Sequence, residues 1–281
     1  MAFLPYLKLI RPSQWLKNLM LFFPPFLGGA ILNPGVLTAA FLPLAAFCFT
    51  SSSTYVLNDI LDARTDLNHP VKKLRPIPAR KVSKINAACL AAVLLLAGIM
   101  LGFFVSGMFL AILISYFIVS SAYSLKLKQL PIIDLFCISA GFLLRLQAGG
   151  EAFGIKISEW LFLCVFLLAI FLSTGKRLHE KNMLGSTAVK HRQSLESYPE
   201  GFLEGTMYLT GATVLVCYTM YVISRHGPVY AVLLCTFGLL RYILRVKSGL
   251  GGDPTESLLR DFPLLVTGIL WAVLVGWSIY G

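Results

Sequence analysis

Three aspartates at helical spacing are the first residues that invite chemistry. Asp59, Asp62 and Asp66 stand at i, i+3 and i+7 in the stretch Asn58-Asp59-Ile60-Leu61-Asp62-Ala63-Arg64-Thr65-Asp66-Leu67-Asn68-His69-Pro70-Val71-Lys72-Lys73-Leu74-Arg75-Pro76. If a helix runs through them, the carboxylates form one stripe on one face, with Asn58 beside it. Carboxylates stacked in this way repel one another unless a cation lies between them. Oxygen donors in a loose array suit Mg²⁺, which keeps several waters and shares substrate phosphates. Immediately downstream, Lys72, Lys73 and Arg75 offer positive charge and forked donors for phosphate oxygens. The combination reads as a magnesium–diphosphate site with Asp59, Asp62 and Asp66 as metal ligands. The bland alternative is a solvated helix end beside a topology signal. Against it, three of the chain's 13 acids fall within eight residues of a sequence otherwise poor in charge.

A second polar island follows at roughly 175–204. It opens Gly175-Lys176-Arg177-Leu178-His179-Glu180-Lys181. Glu180 is expected to face the first cluster and share its metal, and Lys176 and Arg177 to hold a departing diphosphate. The stretch His191-Arg192-Gln193-Ser194-Leu195-Glu196-Ser197-Tyr198 reads as a lid. Two ionisable residues, Asp134 and Arg145, lie eleven apart within one apolar run, where such residues normally face a cavity or a partner. At 1.5 Å per residue they stand about 16 Å apart along a helix, too far to pair directly. Asp134 is expected to join the polar cavity. Arg145 either contacts a buried phosphate or fixes helix packing, and the sequence leaves both open. Near the start, Trp15 reads as an interfacial anchor, while Lys17 and Asn18 are candidates to point into the cavity. Tyr123 and Lys126 reach the same level and are weighed likewise.

The elements that must position these residues are membrane spans. The 281 residues are 57% hydrophobic and 13% charged, with mean hydropathy +0.77, whereas soluble domains run about 45–50% apolar and about 25% charged. A helix needs roughly 20 apolar residues to cross the hydrocarbon, and nine stretches approach that length: about 15–32, 35–57, 85–104, 107–124, 131–148, 159–175, 205–224, 228–246 and 262–280. The first is interrupted by Pro24-Pro25. The expected architecture is all-α, with nine transmembrane helices around a central cavity. It forms a single integral-membrane domain over 1–281, capped by polar loops at about 59–84 and 175–204. Counting the N-terminus and every even connection as one side gathers 21 of the 24 Lys and Arg there. The positive-inside rule then puts the N-terminus and both polar loops in the cytoplasm and the C-terminus outside the cell membrane. Topology and anionic lipid head groups account for the net charge of +11, so no nucleic acid is implied. All six cysteines fall within spans without metal-ligand spacing, which argues for apolar filler over zinc. A homo-oligomer stays open.

These residues resemble the UbiA superfamily of intramembrane prenyltransferases. The likeness rests on Asn58-Asp59-x-x-Asp62-x-x-x-Asp66, the nine apolar stretches and the second polar loop, and covers nearly the whole chain. A closer likeness is to the decaprenyl-phosphate phosphoribosyltransferases. It is carried by Arg11-Pro-x-Gln-Trp15-x-Lys17-Asn18, Tyr123-Ser-x-x-Leu127-Lys128 leading to Ile133-Asp134, and Gly141-Phe-x-x-Arg145-x-x-Ala-Gly-Gly150. It continues through Gly175-Lys176-Arg177-x-x-Glu180 and Asp253-Pro-x-Glu256…Leu259-Arg260-Asp261. The resemblance implies Mg²⁺ as cofactor, with phosphoribosyl diphosphate and a polyprenyl phosphate as substrates. The second loop departs from the aspartate-rich pattern of aromatic prenyltransferases by offering one carboxylate, Glu180, among cations. That departure suits a site that must accommodate more phosphate. An aromatic or quinone prenyltransferase using a prenyl diphosphate, and a non-catalytic lipid-binding or transport protein, are the competing readings.

Overall fold

A computed structural model describes residues 4–67, 71–184 and 193–281, and every regular element among them is helical. Helix α1 (Leu4–Ile10) leads into a 3₁₀ segment, Pro12–Phe22, and then α2 (Phe23–Leu27), α3 (Pro34–Ala39) and α4 (Phe41–Asp66). The long helices α5 (Lys84–Phe103), α6 (Gly107–Leu125), α7 (Ile133–Ala152) and α8 (Glu159–Leu184) follow. After the short α9 (Gln193–Glu196) come α10 (Phe202–Ser224), α11 (Tyr230–Lys247), α12 (Pro254–Arg260) and α13 (Phe262–Tyr280). Asn68, His69 and Pro70, and the His191 and Arg192 of the expected lid, lie outside the described residues.

Among the described residues seven helical stretches are long and apolar enough to cross a membrane: Pro34–Asp66, Lys84–Phe103, Gly107–Leu125, Ile133–Ala152, Glu159–Met183, Phe202–Ser224 and Phe262–Tyr280. The other two expected spans are built differently. Within 15–32, Pro24 and Pro25 lack the N–H an α-helical ladder needs, and the chain before them winds as a 3₁₀ helix of 11 residues. At about 2.0 Å per residue this tighter helix still reaches about 22 Å. Around 228–246 a helix does form, but Arg241, Arg245 and Lys247 crowd its final two turns. Arg241 and Arg245 are drawn to Asp261, which caps α13.

Side chains that would be misplaced in water cover the exterior. Phe103, Met108, Leu209, Leu233 and Trp277 are all exposed, as expected of surfaces that meet hydrocarbon rather than solvent. Inside, one core joins α7, α8, α10, α11 and α13 through Phe171, Met207, Val214 and Tyr242. A second joins the 3₁₀ segment to α4, α6 and α7 through Leu21, Phe47, Phe109 and Ala148. Backbones touch where the 3₁₀ segment crosses α7: a Cβ on Gly149 would lie 2.1 Å from the Leu21 carbonyl oxygen. Such contacts let helices associate where no hydrophobic force drives them. A third cluster, Leu9, Val56, Ala63, Ile77, Val82 and Ala87, fastens α1 and the loop after α4 onto α4. Ile77 and Val82 thereby fold that loop back over the acidic end of its own helix.

Candidate active site

One cavity of about 460 Å³ opens between the 3₁₀ segment, α4, α6, α7, α8 and the start of α12. Apolar side chains such as Ile138, Phe142, Ala169 and Leu172 line part of it. Seven cations reach its wall: Arg11, Lys17, Lys72, Arg75, Arg145, Lys176 and Arg177. Among the described residues three carboxylates do so: Asp62, Glu180 and Asp253. Asn58 and Tyr123 complete the polar lining that sequence reasoning anticipated.

The helix does run through the acidic stripe, ending at Asp66, but the three aspartates do not act alike. Asp59 and Asp66 are 1% and 4% exposed and do not line the cavity. Arg75 lies between them, its Nη1 3.1 Å from Asp59 and 2.7 Å from Asp66. Arg11 Nη2 adds a 2.5 Å bond to Asp59. The positive charge between the stacked carboxylates is here a guanidinium. Asp62 alone of the three opens to the cavity, where it pairs with Lys128. The Lys128 ammonium also lies 3.5 Å from the Asn58 side-chain oxygen.

On the facing wall Arg177 is the hub. Its Nε donates to Asp134 at 2.8 Å, one Nη to Glu180 at 2.7 Å and the other to the Tyr123 hydroxyl at 2.9 Å. Asp134 is fully buried and is the counter-ion of this arginine rather than a cavity ligand. The Tyr198 hydroxyl donates to the same carboxylate at 2.7 Å and accepts from the Ile132 amide at 2.6 Å. Burial pushes the Tyr198 phenol well above its usual range, so it stays protonated as the donor this bond requires. Ser194 adds a bond to the Lys128 carbonyl at 3.0 Å. The described part of the expected lid is thus pinned to the loop between α6 and α7.

Asp134 and Arg145 do not pair, as their separation implied. Arg145 donates to the Asn18 side-chain oxygen, the Gly141 carbonyl and the Tyr116 hydroxyl, at 2.8, 2.9 and 2.8 Å. Those three bonds tie the 3₁₀ segment, α6 and α7 together, which gives Arg145 a packing role beside its place in the cavity wall. Asn18 is fully buried, bonded also to Ser51 and Cys48, and does not line the cavity. Lys73 and Lys126 are exposed and outside it as well; the neighbouring Lys72 reaches the wall, and Lys128 is held against Asp62 and Asn58 without lining the cavity. Trp15 is half-buried, its indole bonding Ser52 at 3.0 Å rather than standing as a free anchor. Sequence reasoning missed Arg11, Lys128, Tyr198 and Asp253 as site residues, although each sits inside one of the polar motifs. Asp253 pairs with Lys176 at 2.9 Å. Burial alone would raise its carboxyl, but Lys176, helped by Lys17, holds it down at about 2.

The donor chemistry fits magnesium held against a diphosphate. Mg²⁺ takes one or two carboxylates and completes its shell with water and phosphate oxygens. Asp62 and Asn58 on one wall and Glu180 on the other supply such oxygens. Among the described residues no three His, Cys, Asp or Glu side chains are grouped to enclose an ion, so these residues alone form no closed cage.

The span-length helices and this helix-lined cavity define an integral-membrane protein. The UbiA prenyltransferase family model matches residues 21–260, and the chain belongs to that family. It is 32% identical to the decaprenyl-phosphate phosphoribosyltransferase of Mycolicibacterium smegmatis, over 98% of this chain and 92% of the relative. It is 33% identical to the protein of that name from Corynebacterium glutamicum, over 98% and 86%. In fold it is similar to a UbiA homolog from Archaeoglobus fulgidus solved with GPP and Mg²⁺, with TM-score 0.77, 20% identity and coverage of 98% and 99%.

Proposed function

We propose that the chain transfers the 5-phosphoribosyl group of phosphoribosyl diphosphate to a polyprenyl phosphate and releases diphosphate, with Mg²⁺ as cofactor. The observation that carries this reading is the gathering of seven cations on the wall of one cavity, against three carboxylates on that wall and three more, Asp59, Asp66 and Asp134, paired just behind it. A prenyl diphosphate and a neutral ring acceptor bring a single diphosphate. A phosphoribosyl donor brings a diphosphate and a 5-phosphate, and a lipid phosphate adds another. Charge of that amount in a low-dielectric cavity needs fixed cations in excess. The similarity to relatives named decaprenyl-phosphate phosphoribosyltransferase supports the same pair of substrates.

In this reading Arg11, Lys72 and Arg75 hold the donor's diphosphate from the α4 side and Lys176 and Arg177 from the α8 side, while Lys17 and Arg145 face the lipid phosphate. The lipid tail leaves toward the apolar side of the cavity. An oxygen of the lipid phosphate bonds to the anomeric carbon as the bond to diphosphate breaks, and the leaving group takes the electron pair. The attacking phosphate is ionised at neutral pH, so no general base is required. Positioning and charge neutralisation carry the rate. Asp62, Asn58 and Glu180 would hold magnesium, which when bound neutralises the departing oxygens. The N-terminus and both polar loops face the cytoplasm, where a water-soluble donor is available.

Membranes carrying the protein are incubated with labelled phosphoribosyl diphosphate and a polyprenyl phosphate, or with labelled prenyl diphosphate and ring acceptors. The reading expects a labelled lipid from the first pair alone. Transfer confined to the prenyl donor would overturn it.

A further inference from the structure

We propose that Asp253 selects the sugar: its carboxylate accepts a hydrogen bond from a ring hydroxyl of the donor's ribose and disfavours a prenyl donor. The inference rests on the donor reading above. A carboxylate on a wall built for phosphates is electrostatically adverse to them, because it repels phosphate and occupies Lys176. Beyond its capping of α12, a carboxylate at this wall suits a ligand group that donates hydrogen bonds, and a phosphoribosyl donor carries such groups in its ring hydroxyls.

The chain fixes this carboxylate with care. Tyr242 holds the preceding loop, its hydroxyl 2.7 Å from the Gly252 carbonyl oxygen and 3.0 Å from that of Leu172. A Cβ on Gly252 would lie 2.6 Å from His179 Cβ and 3.0 Å from Lys176 Cα, so only glycine lets the loop press this closely on α8. The Asp253 side chain then accepts from the Thr255 and Glu256 amides at 3.1 and 3.2 Å through Oδ1, and from Lys176 through Oδ2. A carboxylate has about four lone-pair sites, so these three bonds lock its orientation and leave capacity for a ligand hydroxyl. The side chain is 24% exposed, at the cavity wall. A prenyl diphosphate has no hydroxyl to offer at that point, and its hydrocarbon would desolvate the charge without replacing the lost bonds. Selection therefore works in both directions.

The test compares binding of phosphoribosyl diphosphate with binding of inorganic diphosphate, both with Mg²⁺, to purified wild type, Asp253→Ser and Asp253→Asn. Serine and asparagine cap helices about as well as aspartate, and thermal unfolding checks that each variant is folded. Serine is too short to reach the sugar, so affinity for phosphoribosyl diphosphate is expected to fall about tenfold or more. Affinity for inorganic diphosphate is expected to hold or rise as Lys176 is released. Asparagine, isosteric but uncharged, is expected to fall between. Equal weakening of both ligands would assign Asp253 to the phosphates or the metal, and no change in either would assign it to structure alone; both overturn the inference. Wild type that binds phosphoribosyl diphosphate no better than inorganic diphosphate would instead remove the donor reading itself, whatever the variants do.

Discussion

Arg177 Nε on α8 lies 2.8 Å from Asp134 Oδ2 on α7, and both side chains are almost wholly withdrawn from solvent. This ion pair joins the two helices that form the deep wall of the cavity, and it positions the arginine that holds Glu180 and Tyr123. Removing one partner leaves an uncompensated buried charge. Asp134→Ala is therefore expected to cost about 3–5 kcal/mol of stability, read as a lowered unfolding temperature in detergent. Tyr198→Phe deletes one bond to the same carboxylate and should cost about 1 kcal/mol.

Lys126 and Lys128 separate by which of them is tied to the acidic stripe. Lys128 pairs with Asp62 and reaches Asn58, while Lys126 is exposed. Lys128→Ala is expected to lower kcat/KM for the donor by about tenfold to a hundredfold, the worth of one charge-assisted contact. Lys126→Ala should stay within about twofold, as surface substitutions usually do. Steady-state kinetics with varied donor would check both.

Arg75 neutralises two aspartates at once. Arg75→Gln leaves Asp66 without that ion pair and Asp59 with Arg11 alone. The expected cost is about 1–3 kcal/mol for the buried carboxylate left short of donors. If Arg75 also grips the donor, turnover falls further than stability does. Asp66→Asn in the same background should restore unfolding temperature without restoring activity.

The metal assignment predicts a distinct pattern. Chelation should abolish turnover and added Mg²⁺ should restore it. Asp62→Asn should raise the Mg²⁺ concentration needed for half-maximal rate by about tenfold or more, in line with the loss of a metal ligand or its support. Asp66→Asn should leave that concentration nearly unchanged, because Asp66 faces Arg75.

Much of this arrangement is legible in the order of the amino acids. Apolar runs of span length locate the long helices, and the i, i+3, i+7 spacing marks the helix face that ends in the site. What spacing does not show is which side of that stripe meets the cavity. Asp59 and Asp62 differ by three residues, about 60° around a helix, enough to send one carboxylate into the guanidinium cluster and the other to the cavity. The loop carrying Arg75 returns because Ile77 and Val82 bury against α4 and α1, a tertiary choice with no periodic signature. Asn18 resembles a ligand because it is polar within an apolar stretch; its partners Arg145 and Ser51 lie 127 and 33 residues away. The proline pair warns of an irregular first span without indicating a long 3₁₀ helix.

The central claim is that the cation-rich cavity binds a phosphorylated sugar donor. The most direct measurement is equilibrium binding of phosphoribosyl diphosphate to the purified protein with Mg²⁺, challenged by geranyl diphosphate. The account predicts saturable binding that equimolar geranyl diphosphate does not displace. Ready displacement by the prenyl compound, or no binding of the sugar donor at all, would contradict it.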